Sequence, residues 1–335
     1  MSTTLSVVLP NHNDADRLPA AVDAILSQSR PPAELVLVDD GSTDGSRDVI
    51  QALAAEHAAV KPVWRDDRGG VAAAVTSGLA EATGDWFYGA AADDAVLPGF
   101  FEAALGVADT HPSLGAVFGA LWCDFDDHRG SELQVLPGAG GEAAEVMNAA
   151  GVGAWFDSIE AGWSVSTSTL LRREAVDAAG GFRKRLGPCA DLYLNRAVSL
   201  RHGAAYLPRP CARVRIHADS YSAGAMADPE RMRGWGDAMA SLFEAEVGVD
   251  RERVRRWRLK WELELCGGFE ALSDTVLPRR LRDVRRAYAA LGTGGNALDR
   301  ALSKPLRAVL QRVDRRRARG QKNTQAHRDP EEHGG

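Results

Sequence analysis

Over the first hundred residues the apolar positions switch repeatedly between a strand period and a helix period. Leu5, Val7, Val8 and Leu9 make a short buried strand that ends at Pro10. Residues 14–29 then repeat at helical spacing, with Leu18, Val22, Ile25 and Leu26 on one face. Residues 34–38 (ELVLV) read as a second apolar strand, running into Asp39-Asp40-Gly41-Ser42. Thr43 or Asp44 is placed to cap the next helix, which carries Val49, Ile50 and Leu53. Residues 60–65 read as a third strand, 70–83 as an alanine-rich helix closed by Gly84, and 85–89 as a fourth strand. Pro98 suits the first position of a further helix. This rhythm predicts a mostly parallel sheet with helices on both faces. Such sheets bind ligands beyond the carboxyl ends of their strands. Three polar clusters fall there: Asn11-His12-Asn13, Asp39-Asp40 and Asp93-Asp94.

The middle of the chain is less regular. Residues 114–123 and 132–136 read as strands around the turn Asp126-Asp127-His128-Arg129-Gly130, and 137–141 as a glycine-rich loop. Residues 172–179 form a helical pattern stopped by Gly180-Gly181, and 191–202 another stopped by Gly203. From Pro229 onward the pattern is helical and charged. Leu298, Leu302, Leu306, Val309, Leu310 and Val313 make an apolar stripe flanked or followed by Lys304, Arg307, Arg312, Arg315, Arg316, Arg317 and Arg319. A basic amphipathic helix of this kind suits peripheral contact with an anionic membrane. It also suits a docked helix with a solvated basic face, the reading favoured by its charge. No aromatic is interleaved with these arginines, so a nucleic-acid partner is not expected. Residues 319–335 are polar and aperiodic, the composition of a disordered tail. The expected organisation is a domain over 1–225, a helical extension over 226–318 and a tail over 319–335.

Composition adds three constraints. The 335 residues are 45% hydrophobic and 26% charged, enough apolar content for a sizeable core. The net charge of -6 hides an asymmetry: residues 250–335 hold 21 Lys+Arg against 12 Asp+Glu, and the remainder 19 against 34. The four cysteines (Cys123, Cys189, Cys211 and Cys266) show neither a CxxC pair nor a zinc-like spacing, as expected of reduced thiols in a cytoplasmic protein. No basic segment followed by an apolar stretch opens the sequence, and no run approaches the ~18 apolar residues of a membrane span. The expected location is the cytoplasm, at most peripheral at the inner face of a membrane.

Several segments together resemble a known family. Residues 5–13 (LSVVLPNHN) are similar to the opening strand of family 2 glycosyltransferases, and 34–44 (ELVLVDDGSTD) to their second signature. Residues 70–98 (GVAAAVTSGLAEATGDWFYGAAADDAVLP) resemble the family's GxxxAxNxGxxxAxGxxxxxLDADDxxxP. The likeness continues at Leu171-Arg172-Arg173 and Gly180-Gly181-Phe182 and ends at Arg215-Ile216-His217, covering roughly 5–222. It implies an α/β fold of the GT-A type with a helical C-terminal extension. It also implies a nucleoside-diphosphate-sugar donor, Mg²⁺ or Mn²⁺, an inverting mechanism and a glycan or lipid-linked hydroxyl acceptor.

The resemblance carries roles onto individual residues. Pro10, His12 and Asn13 lie in the nucleotide-binding segment, with His12 where the family stacks an aromatic on the base. Asp40 is placed to accept from a base N–H, although Asp-Gly-Ser is also good turn chemistry. Arg68 stands where the family often has Asn and could contact the diphosphate. Counted back from Pro98, Asp93 takes the place of the second aspartate of the family's DxD motif and is the expected metal ligand, a hard oxygen donor for a hard cation. The first falls on Ala91, so Asp94 is a further expected ligand, or a cap for the next helix. His217 matches the family's RxH and is a third candidate. Asp191 lies where the family carries its catalytic base, without the glutamate that usually precedes it; its alternative is a helix N-cap. Trp163-Ser164 could border the acceptor cleft, with a core position as the alternative for Trp163. Two other classes compete: a non-catalytic binder with a decayed metal site, suggested by Ala91, and a nucleotidyltransferase, which would want a glycine-rich loop where Pro10-Asn11-His12-Asn13 has no glycine.

Overall fold

Leu5–Asn11 (β1) and Glu34–Asp40 (β2) are apolar almost throughout because each is covered on both faces. Period-two alternation sends Val8, Val36 and Val38 to one core, and Leu5, Val7, Leu9, Leu35 and Leu37 to the other. The structure, a computed structural model, describes residues 3–126, 130–135, 143–159, 166–217 and 228–265. Between and after these two strands come α1 (Leu18–Leu26), α2 (Ser46–Glu56), β3 (Val60–Arg65), α3 (Val71–Glu81), β4 (Trp86–Gly89), β5 (Ala95–Val96) and α4 (Phe100–Thr110). Next are β6 (Ala116–Phe125), β7 (Ser131–Gln134), β8 (Glu145–Met147), α5 (Ala149–Ser158), β9 (Thr169–Arg172), α6 (Arg173–Ala178), α7 (Ala190–His202) and β10 (Ala204–Ile216). Two helices follow, α8 (Pro229–Leu242) and α9 (Arg251–Leu265).

The strands form one 10-stranded sheet with the path β3-β2-β1-β4-β9-β6-β10-β5, while β7 pairs with β6 and β8 with β10. Strands β1, β2, β3, β4, β6 and β10 point the same way; β5, β7, β8 and β9 oppose them. This is the expected mostly parallel α/β sheet, made mixed by short antiparallel insertions. Helix α3 lies so close to β1 that a Cβ on Gly78 would come within 2.4 Å of Val8.

Several boundaries differ from the sequence reading. Helix α1 is shorter than residues 14–29, because Asp14 to Arg17 form a turn in which Arg17 and Leu18 amides donate to the Asp14 carbonyl at 2.9 and 3.2 Å. Helix α2 starts after Gly45 in the left-handed region, and Asp44 accepts from Ser46 N at 3.0 Å and Ala15 N at 3.1 Å. Pro98 is not the first helical residue: Gly99, at φ 79°, intervenes before Phe100. Strand β10 was not foreseen, since its sequence AAYLPRPCARVRI contains two prolines; register shifts on β6 between Leu207 and Ala212 accommodate them.

The compact unit runs from Met1 to Cys266, past the expected boundary at 225. The reason is apolar: Met232, Met239, Phe243, Val254, Trp257 and Trp261 join the core built on α5 and α7. Trp257 Nε1 donates to Asp157 at 2.6 Å and Trp261 Nε1 to the Met232 carbonyl at 2.8 Å. Cys123, Cys189 and Cys211 are buried. No helix among the described residues is long and apolar enough to cross a membrane. Cys266, the Trp163-Ser164 pair, the basic stretch 298–317 and the expected tail 319–335 lie outside the described residues.

Candidate active site

The carboxyl ends of β1, β2 and β3 meet in one polar network. Parallel register sets Asn11 beside Asp39, and Asp40 beside Arg65. Asn11 Nδ2 donates to Ser42 Oγ at 3.0 Å. Asp39 is fully buried; burial alone would raise its pKa, but bonds from Ser42 and Arg47 outweigh it and hold it below the usual carboxylate range. Asp40 accepts from Arg65 Nε at 2.7 Å, Gly69 N at 2.9 Å and Gly70 N at 2.7 Å. Gly69 N also reaches the second oxygen at 3.1 Å, so both carboxylate oxygens are engaged by the loop. Asp40 therefore anchors the 66–70 loop as well as facing the strand ends. Gly41, at φ +69°, lets that loop approach: an added Cβ would lie 3.0 Å from Arg68 N.

His12 is half-buried, and its Nδ1 lies 2.9 Å from the Asp40 carbonyl. A carbonyl only accepts, so Nδ1 carries the proton and the ring is held in one orientation. Asn13 adopts φ 59° and accepts from Thr43 N at 2.8 Å through Oδ1, closing the loop after β1 onto the loop after β2. Pro10 is the last partly buried residue before this turn. Arg68 is exposed.

The second cluster gathers around the loop after β4. His217 Nε2 lies 3.4 Å from Asp93 Oδ2, with side chains 15% and 30% exposed. A carboxylate oxygen and an imidazole nitrogen, converging and partly open, suit a divalent cation that takes its remaining ligands from phosphate oxygens. Among the described residues no three His, Cys, Asp or Glu side chains form a preformed cage. Asp94 departs from the expected metal ligand: Oδ2 accepts from Thr167 Oγ1 at 2.7 Å and Oδ1 from Arg215 N at 3.2 Å. Nor does it cap α4, which starts six residues later at Phe100. Burial, helped by the neighbouring Asp93 charge, pushes its pKa up to about 7, against the opposing bonds from Thr167 and Arg215. An open cleft of about 500 Å³ runs from Asp93 and Asp94 past Asp124, Asp126, Arg213 and Arg215 to Asp16 and Arg17.

Asp191 sits in the first turn of α7, behind the cap residue Cys189, and so is not the N-cap. Its Oδ1 accepts from its neighbour's amide, Leu192 N, at 2.7 Å, and Ser166 Oγ lies 3.4 Å from Oδ2. Burial pushes its pKa up to about 6, against these bonds. Ser166 opens the turn whose next residue holds Asp94, so the third cluster adjoins the second.

Three participants were not singled out from the sequence. Arg65 was legible in principle, since it ends β3 in register with Asp40. Ser166 and Thr167 carried no signal: the run Ser-Thr-Ser-Thr has no diagnostic spacing.

Residues 6–159 match the model for Glycosyl transferase family 2. The chain is 35% identical over 114 residues to an uncharacterized glycosyltransferase of Nostoc sp., covering 34% of this chain and 35% of that protein. The matching part thus spans about a third of that curated relative's length. TarS of S. aureus in complex with UDP-GlcNAc superposes with a TM-score of 0.63 at 14% identity, over 82% of this chain and 78% of that one. The mannosyltransferase PcManGT from Pyrobaculum calidifontis, in complex with GDP-Man and Mn²⁺, gives 0.53 at 16% identity, over 86% and 81%. At those identities the structural likeness is one of fold.

Proposed function

We propose that the chain, whose residues 6–159 match the model for Glycosyl transferase family 2, is an inverting glycosyltransferase. It moves a sugar from a nucleoside-diphosphate sugar to a hydroxyl of a glycan or lipid-linked acceptor, in the synthesis of a cell-surface or secreted polysaccharide. The observation that carries this reading is the meeting of the Asp93–His217 pair with the segment that holds Asp191, at the carboxyl ends of the strands. Charge-handling and proton-handling groups there adjoin one another, as displacement of a diphosphate by a hydroxyl requires.

In this reading Asp93 and His217 hold Mg²⁺ or Mn²⁺, which when bound supplies positive charge to the departing diphosphate. His12 presents its oriented ring to the base between Pro10 and Asn13. Asp40 accepts from a base N–H at the strand ends. Arg68, exposed on the loop that Asp40 anchors, reaches the diphosphate. Asp191 takes the acceptor's proton; a pKa of about 6 leaves it mostly ionised at neutral pH, yet more basic than an ordinary aspartate. Supporting the reading are the family match and the nucleotide sugars bound by proteins of the same fold.

One competing reading has its own observation. Ala91 replaces the first aspartate of the DxD pattern, as in a binder that has lost turnover. Both are tested by titrating UDP- and GDP-sugars with Mn²⁺ and following hydrolysis and transfer, with and without acceptor glycosides. Metal-dependent binding with turnover supports the enzyme, binding without turnover supports the binder, and no nucleotide binding overturns both.

A further inference from the structure

One short turn touches both halves of the proposed site. Ser166–Ser168 forms a single 3-10 turn leading into β9. Thr167 is 4% exposed and Ser168 fully buried. The Thr167 carbonyl accepts from the buried Tyr88 hydroxyl at 2.9 Å, which fastens the turn to β4. The Thr167 hydroxyl donates to Asp94 Oδ2 at 2.7 Å, and Ser166 Oγ lies 3.4 Å from Asp191. The other oxygen of Asp94 accepts from the amide of Arg215, two residues before His217. Asp94 thereby ties the loop that carries Asp93 to the strand end that carries His217.

We infer that Thr167 is a positioning residue for the Asp93–His217 pair, acting through Asp94. This rests on the reading of that pair as the metal site. A carboxylate carried in a loop can turn about its side-chain bonds unless its oxygens are held. Here one oxygen is held by a backbone amide and the other by a hydroxyl. The hydroxyl is itself fixed, because Tyr88 and burial immobilise the residue that bears it. Replacing it by a methyl group leaves Asp94 Oδ2 facing an apolar group at the distance of a strong hydrogen bond. The carboxylate must then rotate toward water. Its neighbour Asp93 moves with the loop, and the spacing between Asp93 and His217 is no longer set. Ser166, one residue away on the same turn, gives the segment a second duty toward Asp191. One element thus places groups on both sides of the reacting centre.

The test compares Thr167→Val, which keeps shape and loses the hydroxyl, with Thr167→Ser, which keeps the hydroxyl. Calorimetry on the full chain measures nucleoside-diphosphate binding against Mn²⁺ concentration. Hydrogen exchange on the free protein follows the amides of 92–95 and 215–217. Thr167→Val should raise the Mn²⁺ concentration for half-maximal binding by up to about 10–100-fold, the scale of lost outer support at a metal site. It should also speed exchange in both segments, and Thr167→Ser should restore both readouts. Wild-type metal dependence and exchange in Thr167→Val, or equal damage in Thr167→Ser, would overturn the assignment. Absence of metal-dependent binding by the unaltered chain would overturn the reading of the Asp93–His217 pair instead, with exchange still judging the mechanical link.

Discussion

His217 brings its Nε2 within 3.4 Å of Asp93 Oδ2 across 124 residues of sequence. The contact joins the end of β10 to the loop after β4. Asp93→Asn keeps the size of the side chain but halves its capacity for a cation. We expect it to abolish Mn²⁺-dependent binding of nucleoside diphosphate, with the melting temperature within a few degrees of wild type. Calorimetry showing unchanged metal-dependent binding would remove Asp93 from the metal site.

Asp191→Asn should lower kcat by roughly 10²–10⁴-fold with little change in donor affinity. In the unaltered protein, kcat/KM should rise with pH through about 6, as the base loses its proton. Stability should move the other way. The folded pKa lies above the ordinary 3.8, so the carboxyl's contribution is fully present below that value and is lost as pH rises through about 6. The asparagine variant should therefore gain in melting temperature relative to wild type as pH is raised across that window. Near-normal turnover would eliminate Asp191 as the base.

Glu34 tests the opposite sign far from the site. It is buried at the start of β2, and its partners are Lys61, Ser6 and Thr83. Burial alone would raise its pKa, but these partners outweigh it and lower the value to about 2. Its stabilisation is present above the ordinary 4.5 and is lost as pH falls toward 2. Glu34→Gln should cost about 1–3 kcal/mol at neutral pH. Denaturant titrations should show the difference shrinking as pH falls below about 4. A pH-independent difference would mean the carboxylate charge is not what matters.

Asp40→Ala should weaken donor binding by roughly 1–3 kcal/mol, the scale of a lost buried partner. Because Asp40 also holds Gly69 and Gly70, part of that loss belongs to the loop and should be common to every nucleotide. Base reading predicts an additional loss for the preferred base. Affinities for UDP and GDP, measured on both proteins, separate the two; equal losses would leave Asp40 as a loop anchor only.

How much was legible follows from what kind of information each feature uses. The parallel sheet was readable from local periodicity: Val7-Val8-Leu9 and Leu35-Val36-Leu37-Val38 are apolar on both sides, which only doubly covered strands require. Because such sheets place loops at the carboxyl ends, Asp40, Asp93 and His12 could be assigned to one edge before any coordinates were known. Composition located neither β9 nor β10, since four residues in one case and two prolines in the other erase the period-two signal. The boundary expected at 225 followed the end of the family resemblance and the charged helical pattern that begins at Pro229. The tryptophans of α9 decide otherwise, because burial beside α5 and α7 is a property of packing and not of local charge.

The sequence by itself determined the alternation of the first strands and helices, the family resemblance and the identity of the candidate acids. Only the tertiary structure decided what each acid faces. Asp93 and Asp94 are adjacent and chemically identical, yet one turns to His217 and the other to Thr167 and the Arg215 amide. Asp93 and Asp94 lie in a turn, where successive side chains leave the backbone in different directions, and their partners come from segments more than seventy residues away in the chain. No local pattern encodes that choice, because it is fixed by where β10 and the 166–168 turn arrive against the sheet.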